Sequence, residues 1–116
     1  MYIRDMLAES MQRNLGIVRD DARLSAGLED VEYDLSVADR IRYDNSVMPY
    51  FNYSLTGILT LAKAVLVCAR SRTESRGAHW RSDYPETDPA FGDATVIAYD
   101  EGRYTVRRDK ERAYEN

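Results

Sequence analysis

The feature that most limits the possible folds is a long apolar stretch in the middle of the chain, which we predict to form a helix over residues 53–72. Apolar side chains fall on most faces of this helix, at Leu55, Ile58, Leu59, Leu61, Ala62, Val65, Leu66, Val67 and Ala69. A helix that is apolar nearly all round has to be covered by other parts of the protein. Four residues interrupt the run, at Thr56, Gly57, Thr60 and Lys63. The run is also shorter than the roughly 20 residues that a bilayer requires, so we expect a central, heavily covered helix of a soluble bundle.

Two further helices are predicted upstream of this one. The first is short and amphipathic and ends near Gly16, with apolar residues at Ile3, Met6, Leu7, Met11 and Leu15. The second spans residues 21–43, with an apolar stripe at Leu24, Leu28, Val31, Leu35 and Ala38. A stripe in steps of four and three residues is typical of a helix that packs against near-parallel neighbours. Asp20 and Asp21 can cap the start of this helix, and Gly27 weakens it by about 1 kcal/mol relative to Ala.

A connection is predicted between the second and third helices, over residues 44–51. Pro49 favours a break there, because a proline disfavours helical backbone at the residue before it. Asn52 or Ser54 can then cap the third helix. The resulting fold class is mostly α: an antiparallel three-helix bundle, similar to a spectrin repeat, between residues 3 and 72.

The character of the chain changes after the bundle. Prolines and polar residues become frequent, and two short alternating segments, residues 94–99 and 103–107, flank a turn-forming sequence. This pattern predicts a β-hairpin. A hairpin is only marginally stable by itself, so it must lie on the bundle, on another domain or on a neighbouring chain. We therefore divide the chain into a bundle over residues 1–81 and an extension with a charged tail over residues 82–116, packed on the same domain.

Charge and cysteine content argue against several functions. Acidic residues outnumber Lys plus Arg by 20 to 16, whereas a nucleic-acid partner requires a basic face. Cys68 is the only cysteine, so no intrachain disulfide can form and a reducing, cytoplasmic location is expected. We interpret Cys68 as a buried core thiol. One His and one distant Cys do not make a metal site, and the sequence has no glycine-rich loop that could hold a nucleotide.

The densest group of potentially reactive side chains lies in residues 72–86, which we call the signature segment. Ser75, His79 and Asp83 recur every four residues, a spacing that could place a hydrolase triad on one helix face. We reject a triad, because its members normally come from separate elements and because Gly77 favours the end of a helix. The alternative is a hydrogen-bonded and ion-paired cluster that fastens the end of the third helix to whatever packs over it. Its members are Glu74, Arg76, His79, Arg81 and Asp83.

The signature segment resembles a motif of a known family. Residues 74–79, which read ESRGAH and are followed by Arg81, Asp83 and Pro85, resemble the C-terminal signature of succinate dehydrogenase and fumarate reductase flavoproteins. This run is a specific match, because it combines several residue types at fixed spacing. It is the main ground for the resemblance.

Other parts of the chain share the resemblance. Residues 16–19 resemble the loop after the first C-terminal helix of that family, and residues 68–72 resemble the end of its third helix. The likeness continues over residues 95–107 and so covers nearly the whole chain. L-aspartate oxidase has a similar helical domain with a related Glu-Ser-Arg-Gly motif, but Ala78, Arg81 and the residues beyond the signature favour the dehydrogenase or reductase.

The resemblance implies an enzyme that interconverts succinate and fumarate by hydride transfer to or from FAD, with electrons passing through an iron–sulfur subunit. In such flavoproteins the flavin-binding fold and the substrate-binding residues lie upstream of the part that this chain resembles. The resemblance therefore implies no catalytic residue, cofactor or metal here, and an isolated chain without activity. It implies a domain that braces the FAD-binding domain and contributes to subunit contacts. The residues assigned to this docking are Glu74, Ser75, Arg76, Gly77, His79, Arg81 and Asp83.

The resemblance also implies where the parent enzyme works: on the cytoplasmic face of the inner membrane, as a peripheral complex that brings this chain to a membrane only indirectly. The alternatives are the C-terminal domain of L-aspartate oxidase and a free-standing helical module that binds another protein. An exposed apolar or charged patch favours the brace, whereas a signature segment sealed within the chain's own core favours the module. A hairpin and a bundle that both lack a neighbour also favour a homodimer of the isolated chain.

Overall fold

The chain folds into three helices followed by a β-hairpin. The computed structural model describes residues 2–42, 49–101 and 103–109. In chain order the elements are α1 (Tyr2–Asn14), α2 (Asp21–Arg42), α3 (Pro49–Ser71), a single-turn 3-10 helix (Pro89–Phe91), β1 (Thr95–Asp100) and β2 (Arg103–Arg108). The predicted fold class, a mostly α bundle with a small C-terminal hairpin, is confirmed.

The core lies where α2 packs against α1 and α3. The stripe predicted for α2 faces it, since Leu24, Val31 and Ala38 are buried, and Leu28 and Leu35 pack against the same cluster. The other two helices supply the remaining buried apolar side chains, at Leu7, Leu55, Leu59, Ala62, Leu66 and Ala69. Burial of one Leu or Val side chain contributes about 1.5–3 kcal/mol, so this cluster is the main source of the stability of the bundle.

A capping residue sets the start of α2, as the sequence predicts. Asp20 Oδ1 accepts a hydrogen bond from Arg23 N at 2.7 Å. This bond satisfies one of the N–H groups that every helix start leaves without an intrahelical partner. The predicted end of this helix, at Tyr43, lies outside the described residues.

The start of α3 is earlier than the sequence predicts. The helix begins at Pro49, within the connection predicted over residues 44–51, so the predicted caps at Asn52 and Ser54 are wrong. A proline in the first helical turn loses no hydrogen bond, because the N–H groups there have no intrahelical acceptor, and its fixed φ suits the helix. Pro49 therefore begins the helix instead of preventing it. The rest of the predicted connection, residues 44–48, lies outside the described residues.

One face of α3 is open to solvent, which corrects the prediction of a heavily covered helix. Leu61 is 66% exposed, Val65 41% and Ile58 37%. The physical reason is that α2, α1 and the hairpin, which contact α3, do not cover these side chains. By length and composition alone the part of α3 from Ser54 to Ser71 could cross a membrane, with a mean hydropathy of 1.3 and 28% of it buried. Core helices of soluble proteins pass the same test, so it is weak evidence for a membrane segment.

The hairpin lies on α3. The Tyr104 hydroxyl, on β2, donates a hydrogen bond to the Thr60 carbonyl at 3.4 Å, and Lys63 Nζ lies 5.0 Å from the centre of the Tyr104 ring. The bundle therefore gives the hairpin the cover that two strands need. The division into a bundle over residues 1–81 and an extension over residues 82–116 stays a prediction.

Two glycines inside helices, Gly27 and Gly57, can show how close packing and helix propensity each affect stability. A Cβ atom at Gly27 would lie 3.0 Å from Leu66 Cδ2 and 3.1 Å from Asn14 Cβ, whereas one at Gly57 would meet no atom within 4 Å. Replacing Gly by Ala in a helix normally stabilises by about 1 kcal/mol. We expect Gly57→Ala to raise the free energy of unfolding by about this amount, and Gly27→Ala to lower it by about 1 kcal/mol through overpacking. Urea unfolding measures both values, and equal stabilisation by the two variants would contradict the close approach of the helices at Gly27.

Candidate functional site

The signature segment folds back on itself through tight turns beside the end of α3. Arg76 N donates to His79 O at 2.8 Å and His79 N donates to Arg76 O at 3.0 Å. Gly77, between them, has a φ of +58°, a left-handed conformation that is readily adopted only by glycine. Tyr84 N then donates to Arg81 O at 3.1 Å. These turns bring side chains that are near in sequence into one cluster.

Glu74 is the centre of this cluster. Its side chain is completely buried and accepts hydrogen bonds from Arg72 Nη1, from Arg76 Nε at 3.0 Å and from Asp88 N at 2.8 Å. Burial alone would raise the pKa of this carboxyl group, but the hydrogen bonds from Arg76, Asp88 and Arg72 outweigh burial and lower the pKa to about 2. Glu74 is therefore a buried carboxylate that stays charged at neutral pH.

Arg72 connects this cluster to the start of β1 and to residues just before it. Besides Glu74, its guanidinium group donates to Phe91 O at 2.7 Å, to Asp93 O at 3.0 Å and to Thr95 Oγ1 at 2.9 Å. An arginine side chain has five N–H donors in a fixed fork, and here most of them are used. Arg72 therefore fixes the entry to the hairpin against the end of α3.

Ser75 is buried and bonds to the backbone of its own segment. Its Oγ accepts from Arg81 N at 2.9 Å and donates to Tyr84 O at 2.7 Å. Within the described part of the chain, this hydroxyl makes no hydrogen bond to His79. A serine nucleophile needs its base within hydrogen-bond reach, whereas the Ser75 hydroxyl here bonds to the backbone; the absence of a catalytic triad stays a prediction.

Arg81 and Asp83 form an ion pair between the ends of two helices. Arg81 is 1% exposed, and its Nε and Nη2 donate to the two carboxylate oxygens of Asp83 at 3.0 and 2.7 Å. Arg81 Nη1 also donates to Arg70 O at 2.8 Å, at the C-terminus of α3. Asp83 Oδ2 accepts from Asp21 N at 3.0 Å, at the N-terminus of α2. The cation thus lies at the negative end of one helix dipole and the anion at the positive end of the other.

His79 is neutral and held between a donor and an acceptor. Arg19 Nη1 lies 3.0 Å from His79 Nδ1, and the Arg72 carbonyl oxygen lies 3.1 Å from His79 Nε2. An arginine can only donate and a carbonyl can only accept, so Nδ1 accepts and Nε2 carries the proton. Burial is the main cause that lowers the pKa of His79, and the charges of the neighbouring arginines lower it further. Both ring nitrogens therefore have a hydrogen-bond partner within this chain.

The predicted docking residues fall into two groups in the structure. Glu74, Ser75 and Arg81 are buried within this chain. The other four are half-buried or exposed, at Arg76, Gly77, His79 and Asp83. The hydrogen-bonded and ion-paired cluster that the sequence predicts is present, whereas its docking onto another domain stays a prediction.

Three members of the cluster were not predicted: Arg19, Arg72 and Asp88. Arg19 comes from the loop between α1 and α2, where its N–H donates to Trp80 O at 2.9 Å and its carbonyl accepts from Ser82 N at 2.8 Å. The resemblance of that loop to the family was the available signal for Arg19. Asp88 donates a hydrogen bond to Glu74 through its backbone N–H. Any residue type except proline could do this, so the sequence held no signal for the contact.

A groove of about 390 Å³ runs between α3, β1 and the signature segment. Its lining is mostly apolar, and its polar members are Arg19, Arg72, His79 and Thr95. Cys68 also lines it and is half-buried. The prediction of a core thiol is therefore wrong, because the position of Cys68 on α3 lies at the groove. Among the described residues, no group of three or more His, Cys, Asp and Glu side chains could hold a metal ion.

Comparison with known proteins gives a consistent result. The chain matches the family described as fumarate reductase flavoprotein C-term over residues 4–114. It is 38% identical over 98 residues to the flavoprotein subunit of the 8-methylmenaquinol:fumarate reductase of Wolinella succinogenes, which covers 78% of this chain and 16% of that protein. It is 34% identical over 84 residues to the L-aspartate oxidase of Rhodospirillum rubrum, or 72% of this chain and 26% of that protein.

A third relative is the succinate dehydrogenase flavoprotein subunit of Coxiella burnetii, which is 26% identical over 110 residues, or 90% of this chain and 19% of that protein. The chain thus spans between 16% and 26% of the length of these relatives. The family match includes all three helices, the signature segment and the hairpin. The resemblance deduced from residues 74–79 is confirmed, and the chain belongs to the family of fumarate reductase flavoprotein C-terminal domains.

Proposed function

We propose that this chain acts as the C-terminal helical domain of a succinate dehydrogenase or fumarate reductase flavoprotein and braces the FAD-binding domain of that enzyme. The parent enzyme interconverts succinate and fumarate by hydride transfer to or from FAD. Support comes from the family match and from relatives named as fumarate reductase and succinate dehydrogenase flavoprotein subunits. The chain spans at most 26% of the three relatives described above, so we assign the chemistry to the remainder of such a protein.

The main support for the bracing role is that the hydrogen-bonded signature segment lies beside the exposed apolar face of α3. Glu74 and Arg81 are buried and hydrogen-bonded on several sides, which holds the signature segment in one conformation. In the groove beside it, Leu61 and Val65 leave apolar surface exposed. Apolar surface of this kind is expected where a domain meets a neighbour. A brace affects catalysis because a displacement of about 1 Å at reacting groups can lower the rate about a hundredfold.

We propose that none of the described residues binds FAD. They include no glycine-rich turn that leads into a helix, and such a turn supplies the backbone N–H groups that bind a pyrophosphate. Arg72 lines the groove, but Glu74 and the residues before β1 already accept from it. We therefore assign FAD to the FAD-binding domain of the parent enzyme and expect the isolated chain to be inactive.

The proposed assembly has two direct protein partners. The first is the FAD-binding domain of the same flavoprotein, and the second is an iron–sulfur subunit. We place the complex on the cytoplasmic face of the inner membrane, where this chain meets the membrane only indirectly. L-aspartate oxidase is the alternative parent, because a relative with 34% identity has that name.

A free-standing interaction module is the second candidate, and one observation favours it. The buried polar residues of the signature segment, Glu74, Ser75 and Arg81, find their partners within this chain. A domain that needed the flavin domain to complete this cluster would leave such groups unpaired. In this second reading the exposed face of α3 binds an unrelated protein or a second copy of the chain.

A complementation experiment separates the two candidates. The flavoprotein of the Wolinella succinogenes enzyme is shortened to end before the region that matches this chain. It is then mixed either with this chain or, as the positive control, with its own separated C-terminal domain. Calorimetry measures binding, and succinate-dependent dye reduction measures activity.

We expect this chain to bind the shortened flavoprotein and to restore part of the activity that the control domain restores. Binding and activity with the control domain, but neither with this chain, would overturn the bracing role. If the chain is then stable and monomeric, the free-standing module becomes the better account.

A further inference from the structure

Arg19 is a cation at the groove for which no described carboxylate is a partner. The other arginines around the signature segment have one: Arg72 and Arg76 pair with Glu74, and Arg81 pairs with Asp83. Arg19 instead donates to two neutral acceptors, Gly16 O at 3.1 Å from Nε and His79 Nδ1 at 3.0 Å from Nη1. Of its five N–H groups, three therefore have no acceptor among the described residues.

The guanidinium group of Arg19 is held in place before any partner arrives. His79 is fixed by its own bond to Arg72 O at 3.1 Å, and the backbone of Arg19 is paired on both sides with the signature segment at Trp80 and Ser82. Partial burial lowers the pKa of Arg19, which reflects the cost of a cation that is partly removed from water. A fixed, partly desolvated arginine is suited to a carboxylate, because two N–H groups can bind its two oxygens and little side-chain entropy is lost.

Apart from Arg19, Arg72, His79 and Thr95, the side chains that line the groove are apolar. Leu61 and Val65 of α3 are exposed, and Cys68 on the same helix and Ile97 of β1 also line the groove. Apolar walls next to a single unpaired cation are complementary to a segment that carries apolar side chains and one negative charge.

We propose that this groove binds a segment of the flavin domain in which apolar side chains flank one Asp or Glu carboxylate, and that Arg19 pairs with that carboxylate. The inference rests on the proposed function for the identity of the partner, and on the groove itself for the chemistry of the segment. Arg19 is then the residue that sets the register of docking, while Leu61 and Val65 supply apolar contact area.

The chemistry of the groove can be tested without any partner, because Cys68 is the only cysteine and lines the groove. Two aromatic disulfides react with its thiol: 5,5′-dithiobis(2-nitrobenzoate), which carries carboxylates, and 4,4′-dithiodipyridine, which is neutral. Both reagents react with the same thiolate, so the ratio of their second-order rate constants at one pH does not depend on how much of Cys68 is ionised in each variant. We expect Arg19→Gln to lower this ratio roughly five-fold, the size of one partly exposed charge pair.

The matched control is Arg107→Gln, which removes the same charge from the hairpin. Val96, the partner of Arg107, alternates along β1 with the groove-lining residues Thr95 and Ile97, so Arg107 lies on the opposite face. Arg107→Gln should therefore leave the ratio of the two rate constants unchanged. An equal change in both variants, or no change in either, would overturn a carboxylate site at Arg19.

A second measurement ties the groove to the flavin domain and uses the shortened flavoprotein described above. We expect Arg19→Gln and Leu61→Ser each to weaken binding about five- to tenfold. The controls are Arg107→Gln and Tyr33→Ser, the latter at a similarly exposed position on α2, and they should bind like the unchanged chain. Leu61 is exposed, so its replacement tests the groove even if Arg19→Gln loosens its loop.

The outcomes distinguish the two proposals. If the unchanged chain binds and Arg19→Gln and Leu61→Ser bind equally well, the groove is wrong and the brace stands. If the unchanged chain does not bind but the disulfide ratio still falls in Arg19→Gln, the flavin-domain brace fails, and with it the assignment of the occupant, while the carboxylate preference of the groove remains.

Discussion

Glu74→Gln lowers the free energy of unfolding by about 3–5 kcal/mol, the range for removing one partner of a buried ion pair. The Glu74 carboxylate is completely buried and accepts from two arginines and from Asp88 N. A glutamine keeps one oxygen acceptor, but in either orientation its NH₂ group faces Arg76 together with Arg72 or Asp88 N, so donors around the buried side chain lose their acceptor. Urea unfolding followed by circular dichroism at pH 7 measures the change.

The control for this variant is Glu32→Gln, the same chemical change at the surface. Glu32 pairs with Lys63 at 3.5 Å and is largely exposed, and such pairs contribute about 0–1 kcal/mol. If Glu74→Gln and Glu32→Gln lower the free energy of unfolding equally, Glu74 is not the centre of the cluster.

The pH dependence of unfolding in the natural chain and in Glu74→Gln gives an independent check on the charge of Glu74. The pKa of Glu74 is about 2 in the folded chain against an ordinary value of 4.5. A carboxyl group with a depressed pKa contributes stability that is fully present above the ordinary value and is lost as the pH falls toward the folded value. Glutamine cannot titrate, so the difference in stability between the natural chain and Glu74→Gln should narrow from pH 4.5 toward pH 2. A difference that stays constant over this range would contradict the charged state of Glu74.

The helices were predictable because their signal is local. The stripe from Leu24 to Ala38 follows the helical repeat whatever packs on it, and Asp20 caps α2 through a bond to a residue three positions later. The errors arose where the local signal was ambiguous. Pro49 can either break a helix or begin one, and apolar content alone cannot tell whether Leu61 faces a neighbour in this chain, a neighbour in another, or solvent.

The site shows the same limit. The sequence placed Glu74, Arg76 and Arg81 in one cluster because they are close along the chain. It could not supply Arg19, which is 60 residues from His79 along the chain, nor Cys68 at the groove. These contacts depend on how the bundle brings the loop after α1 to the end of α3, and the spacing of residues in one segment does not contain that information.

Arg81→Met should cost about 3–5 kcal/mol of unfolding free energy, since it also removes one partner of a buried ion pair. It leaves Arg70 O without its donor at the end of α3, where carbonyl groups already lack intrahelical partners. It also removes the positive charge that lies between the Asp83 carboxylate and the negative, C-terminal end of the α3 dipole. Arg81→Lys should cost less, about 2 kcal/mol, because an ammonium group keeps the charge but cannot span the two Asp83 oxygens and the carbonyl at once. Thermal and urea unfolding measure both variants.

A double-mutant cycle with Asp83→Asn tests whether the pair acts as a link between helix ends. Direct contact through two hydrogen bonds of 3.0 and 2.7 Å predicts a coupling energy of about 1–3 kcal/mol. Arg70→Met is the control, because Arg70 pairs with Asp21 at 3.0 Å on an exposed surface and should cost less than about 1 kcal/mol. A coupling energy near zero would mean that Arg81 stabilises the fold through the α3 carbonyls alone. The junction between α3 and α2 would then depend on the capping of each helix and not on an ion pair that joins them.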